Sequence, residues 1–167
     1  MNIDVISTVL CNLDINEYEE VVYGLPDREQ KQVVQYWKIH TKYEVIIDEY
    51  DEKKWYRNGK THRDDDLPAV ERSNGYKAWY KNGKLHRDGD LPAVSWSDGS
   101  KSWWKNGNRH RDGDLPAIVQ TDGAKEWWKN NKKHRDGDLP AVVWADGGIE
   151  WWKNGNLKNF AWRQLIT

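Results

Sequence analysis

Cysteine is nearly absent: Cys11 stands alone in 167 residues. A single thiol excludes an intrachain disulfide, and with it a stapled secreted scaffold. Aliphatic residues are too sparse for an ordinary globular core, and there is one Met and one Phe. Long apolar runs are missing, so no segment has the ~20 apolar residues of a membrane span. The start, MNIDVISTVLCNLDINE, has neither a basic flank nor a long apolar stretch, so no signal peptide is expected. Together these point to a cytoplasmic, intracellular chain. No charge dominates either, the formal net being −1. Residues 1–54 hold twelve acids and six bases, residues 55–167 fifteen acids and twenty bases. That shift marks a boundary near residue 54. The basic surplus beyond it is interleaved with Asp, so no nucleic-acid partner is expected.

What the chain does have is tryptophan. Twelve Trp and eight Tyr supply the buried area that aliphatics do not. Their spacing is regular: aromatic pairs start at Trp55, Trp79, Trp103, Trp127 and Trp151, each 24 residues apart. Four units are nearly identical, for example WYKNGKLHRDGDLPAVSWSDGSKS from Trp79. A degraded half-unit, VIIDEYDEKK, precedes them, and the fifth loses the pattern after Leu157. Atypical ends are what a stacked array requires of its caps.

Each unit carries two turn signals: Asn-Gly after the aromatic pair, then Asn-Gly or Asp-Gly farther on. Both suit two-residue type I′ turns, whose central residues need positive φ, and Asn131 is the next-best substitute for Gly. Recurrent Gly and Pro disfavour helix. Strands are expected at 44–48, 53–57, 68–73, 77–81, 92–97, 101–105, 116–121, 125–129, 140–145 and 149–153. A two-residue Asp98-Gly99 turn would set Trp96 against Lys101 and Val94 against Trp103. Val94, Trp96 and Trp103 would then share one face, with Ala93 and Trp104 on the other. Leu91, Leu115 and Leu139 are expected to fold over the sheet as a second layer. Pro92, Pro116 and Pro140 are expected at first strand positions. On this register Trp103 and its equivalents belong to the core. Tyr80, Trp104, Trp128 and Trp152 form the more accessible column and are the partner-binding candidates.

WKNGKLHRDG…AVSWSDGSK resembles the MORN (membrane occupation and recognition nexus) repeat. It is more similar to divergent MORN variants of the form W-x-NG-x-x-HR…PA…DG, found in large DNA viruses, phages and bacteria. The resemblance covers residues 45–157. It implies a stack of β-hairpins acting as a scaffold and, for a viral protein, a place in the host cell. Arg87 stands where the standard repeat has Gly after His, and the loop is longer. These departures tell against membrane lipid as the ligand.

Residues 1–43 are expected to form short helices that cap the array. Ile3, Ile6, Val9, Leu10 and Leu13 recur at helical spacing. A second helix carries Tyr18, Val21, Val22 and Leu25, and a third, opened by Pro26, carries Val33, Val34 and Trp37. Their apolar face is expected to dock on Trp55 and Tyr56. Residues 1–22 also resemble an F-box: Asp4, Ile6, Val9-Leu10, Leu13-Asp14 and Tyr18 fit its spacing, with Met1-Asn2 where its opening Leu-Pro would be. That resemblance implies an adaptor that brings substrates to a ubiquitin ligase.

Candidate chemistry is repeated chemistry. His-Arg-Asp at His62, His86, His110 and His134 matches a kinase catalytic-loop triplet, but no Gly-rich phosphate loop or DFG accompanies it. A structural role is expected instead: His86 pairs across the Asn-Gly turn with Trp79, while Arg and Asp form ion pairs between units. Asp88, Asp90, Asp112, Asp114, Asp136 and Asp138 are weak metal candidates, too few per loop for calcium. The histidines offer no convergent zinc set. No catalytic residue and no cofactor is assigned. The expected fold is mainly β with a small α N-terminal region: an elongated array of stacked antiparallel hairpins over 44–167, capped by helices. The expected function is a non-enzymatic scaffold binding a protein partner or itself. The alternatives are an F-box-type adaptor and a glycan-binding module, whose aromatic cages paired Trp near Gly-rich turns would resemble.

Overall fold

The computed structural model describes residues 43–48, 50 and 52–162. The chain divides into two compact units, Met1–Glu44 and Val45–Thr167. The helices expected in residues 1–43, their docking on Trp55 and Tyr56, and the F-box-like residues 1–22 lie outside the described residues. Among the described residues all regular structure is strand.

The strands Glu44–Ile47, Lys53–Arg57, Val70–Glu71, Lys77–Ala78, Val94–Ser95, Lys101–Ser102, Ile118–Val119, Lys125–Glu126, Val142–Val143, Gly148–Lys153 and Asn156–Trp162 cross one sheet in chain order. Lys60–Thr61 pairs with Lys53–Arg57 beside this path. Neighbouring strands run antiparallel, so each pairs only with what precedes and follows it. Three separate hairpins accompany the sheet: Tyr80–Lys81 with Lys84–Leu85, Trp104–Lys105 with Asn108–Arg109, and Trp128–Lys129 with Lys132–Lys133.

The continuous strands expected at 77–81, 101–105 and 125–129 are each interrupted at the first aromatic. Trp103 shows why. Its N–H donates to the Ala117 carbonyl at 2.8 Å, within the large sheet. Its own carbonyl accepts from the His110 N–H at 3.2 Å, within the hairpin. One residue thus serves two sheets, and the chain crosses between them there. The return arms at 84–85, 108–109 and 132–133 follow from the expected Asn-Gly turns but are absent from the expected strand ranges, as is the terminal strand Asn156–Trp162. The prolines stand two residues ahead of the strands rather than at their first position, although Ala69, Ala117 and Ala141 already donate to the ladder.

The Asn-Gly turns have the expected geometry. Asn82 and Gly83 have φ of 52° and 78°, and Lys81 faces Lys84 across a two-residue type I′ loop. Asn130 and Asn131 do the same at 52° and 62°. The Asp98-Gly99 turn is different. Only Gly99 has positive φ (91°), its N–H returns to the Trp96 carbonyl, and Trp96 N–H donates to the Ser100 carbonyl. The loop therefore has three residues, Ser97-Asp98-Gly99, with Gly as the bulge residue. The Asp98 carboxylate accepts the Ser100 N–H and holds the bend.

That extra residue shifts the register by one, and a one-residue shift exchanges faces. Val94 faces Ser102, not Trp103, and Ser95 faces Lys101. Trp104, two residues beyond Ser102, lies with Tyr80, Tyr76 and Leu85 against buried Val70, Ala78 and Val94. The first aromatics instead share the face of Ala69, Ala93, Ala117 and Ala141, whose exposure is zero. The expected assignment of the two aromatic columns to faces is thus reversed.

The leucines form no second layer: Leu67, Leu91, Leu115 and Leu139 are exposed. An arginine takes that place. Arg111 lies over the Trp103 ring at 3.8 Å and donates to the Pro116 carbonyl, fixing its loop and covering the indole.

Candidate functional site

The His-Arg-Asp-Gly-Asp loops join successive units, and each polar group has a fixed role. Arg87, Arg111 and Arg135 stack on Trp79, Trp103 and Trp127 at 3.8, 3.8 and 3.9 Å from the ring centroid. Each also grips the second loop Asp of the preceding unit with both ends of its fork. Arg87 holds Asp66 at 2.7 and 2.7 Å, Arg111 holds Asp90 at 2.8 and 2.9 Å, and Arg135 holds Asp114 at 2.6 and 2.7 Å. Planar stacking plus a bidentate carboxylate is the geometry that guanidinium satisfies and ammonium does not.

The histidines make the complementary link. His86 N–H meets the Trp79 carbonyl, as expected, and its ring spans two units. His86 Nδ1 accepts the Asn106 N–H at 3.1 Å, so Nε2 carries the proton and donates to Asp88 at 2.8 Å. His62, His110 and His134 repeat this with Asn82, Asn130 and Asn154. The first loop aspartates take a lysine as well: Lys81 reaches Asp88, Lys105 reaches Asp112 and Lys129 reaches Asp136. Lys105 and His110 together lower the Asp112 carboxyl to about 2. The Arg87, Arg111 and Arg135 bonds lower Asp66, Asp90 and Asp114 in the same direction. Among the described residues Asp138 alone of the metal candidates has no cation beside it, and no three His, Asp or Glu converge on one ion position.

Between successive loops lie three equivalent open clefts of 320, 440 and 480 Å³. The last is lined by Trp127, Trp128, Leu115, Leu139 and the charged loop residues on either side.

The partner-binding candidates Tyr80, Trp104, Trp128 and Trp152 are all half-buried, whereas Trp55, Trp103 and Trp127 of the first column are buried. Trp79 and Trp151 are half-buried as well. Cations stand between the second-column rings. Arg109, directly across the hairpin from Trp104, lies 4.8 Å from that ring and 4.7 Å from Trp128. Lys133 lies 5.7 Å from Trp128 and 5.2 Å from Trp152. Burial pushes Arg109 below the ordinary arginine value, and its Nε is buried without a partner. Buried Glu126 accepts from the Trp128 indole N–H, and Glu150 from both Trp144 and Trp152. Arg109, Lys133, Glu126 and Glu150 escaped the sequence reading. A usable signal existed for the first two, because a type I′ loop places residue i+5 opposite the second aromatic.

No family model matches this sequence, and no curated protein does.

Proposed function

We propose that this chain is a non-enzymatic scaffold of the MORN-variant type, which binds a protein partner or a second copy of itself through the second aromatic column. The observation that carries this reading is the half-open row Tyr80, Trp104, Trp128 and Trp152, interleaved with Arg109 and Lys133 and covered by no leucine layer. Aromatic and arginine side chains are the groups most enriched at interface centres. The His, Arg and Asp groups that could suggest catalysis are engaged in tying units together, which supports a structural role. The test is affinity capture and sedimentation of the wild-type chain beside Trp104→Ala, Trp128→Ala and the pair combined. Association should weaken at least tenfold in the combined variant while the circular dichroism spectrum is kept. Undiminished capture and self-association would refute the assignment of this column.

A glycan-binding module is the second reading, and the three open clefts favour it, each lined by indole and paired polar groups. Glycan-array binding weakened by Trp127→Ala but kept on Trp152→Ala, a second-column residue that lines none of the three clefts, would support it over the scaffold reading.

A further inference from the structure

We infer that Asp138 and Trp151 form an open acceptor for an arginine side chain supplied by another protein. The argument rests on an internal template. In four units the residue eight places after the first aromatic is Arg: Arg63, Arg87, Arg111 and Arg135. All four guanidinium groups lie 3.8–3.9 Å from the centroid of their own Trp ring. Three of them clamp the second loop Asp of the preceding unit. The fifth unit drops the arginine: Asn159 is the residue eight places after Trp151. It lies across from Trp151 in the terminal strand, in the place Ala141 holds relative to Trp127.

The receiving half is built as at Asp66 and Asp90, whereas at Asp114, which Arg135 also clamps, the Trp127 indole N–H has no partner. The Trp151 indole N–H donates to the Asp138 carbonyl at 3.0 Å. Trp79 and Trp103 hold Asp66 and Asp90 by the same bond, at 2.9 and 3.0 Å. Asp138 has φ of 52°, against 56° and 55° for Asp66 and Asp90. Positive φ is uncommon at a non-glycine residue, and Asp138 shares it with Asp66 and Asp90, though not with Asp114. The Asp138 carboxylate is exposed, and among the described residues no cation reaches it. An indole face beside an exposed carboxylate is complementary to a planar, bidentate cation, and arginine is the protein side chain of that shape. This acceptor is separate from the second aromatic column, so either can fail without the other.

The test uses the full chain. N-acetyl-arginine methylamide, with the lysine analogue as control, is titrated at low salt while the Trp151 indole N–H resonance is followed, assigned through Trp151→Phe. The arginine compound should shift that resonance with a dissociation constant on the order of tens of millimolar. The shift should be severalfold weaker with the lysine compound and lost in Asp138→Asn. Equal shifts in wild type and Asp138→Asn would overturn the proposal.

Discussion

At the scale of single residues, the loop arginines concentrate more roles than any other side chain. Arg111 covers Trp103, bonds the Pro116 carbonyl of its own loop and clamps Asp90 of the unit before. The sequence made an ion pair between units legible, because His-Arg-Asp recurred without the rest of a catalytic set. It did not reveal the stacking, since register decides which face an arginine shares with an indole. Arg111→Lys keeps the charge and loses both the fork and the planar stack. We expect it to lower unfolding stability by about 1–2 kcal/mol, combining a partly buried cation–π contact with an exposed bidentate pair. Urea unfolding measures this. Arg111→Lys combined with Asp90→Asn should cost less than the sum of the two, since both remove the same bond. Strict additivity would mean the pair is energetically idle.

At the scale of elements, the strands and their sequential pairing could be read from turn spacing, but the faces could not. Asn82-Gly83 and Asp98-Gly99 look alike in sequence and differ in structure. Asn is tolerant of αL, and Asn82 adopts it, giving a two-residue loop. Asp98 instead uses its carboxylate to accept the N–H two residues on, leaving only Gly99 at positive φ in a three-residue loop. That local choice moves Val94 from Trp103 to Ser102. The interruption at Trp103 was equally hidden, because SKSWWK has uniform strand propensity. Loop length is the controlling variable, so deleting Ser97 is the decisive perturbation. A two-residue Asp-Gly loop would restore the mismatched register locally and turn Val94 off its buried face. We expect the variant to lose its cooperative thermal transition, or to drop Tm by at least ten degrees. Replacing Ser97 by Ala keeps the loop length and should leave Tm within about two degrees, as an exposed substitution does. A fully cooperative deletion variant would show that the register is set elsewhere.

At the scale of the described array, adjacent units are held by backbone ladders, stacked hairpins and a line of charges. Gly107 N–H bonds the Leu85 carbonyl, Asn131 N–H the Arg109 carbonyl and Gly155 N–H the Lys133 carbonyl, so each hairpin rests on the one before. The Arg–Asp clamps run beside them at every junction from Asp66 to Arg135. In a one-dimensional stack, a small change in every interface term adds along the chain. The charge line therefore gives the whole array a pH dependence. Asp66, Asp90 and Asp114 have folded values below their unfolded ones because arginine bonds hold them ionised. Asp112 reaches about 2. A depressed carboxyl contributes its full stabilisation above the unfolded value of about 4. It loses that contribution as pH falls through the folded value. The aspartates are more than half exposed, so each clamp contributes little and is screened by salt. We expect the carboxylates to make Tm fall between about pH 4 and pH 2, more steeply at low ionic strength. Asp66→Asn, Asp90→Asn and Asp114→Asn combined should lower Tm at pH 7 and make the acid fall shallower. The two curves should converge as pH falls and the wild-type carboxylates become protonated as well. Parallel curves that keep their separation throughout the acid fall would show that the asparagines perturb the loops sterically and that the clamps carry no ionic stabilisation.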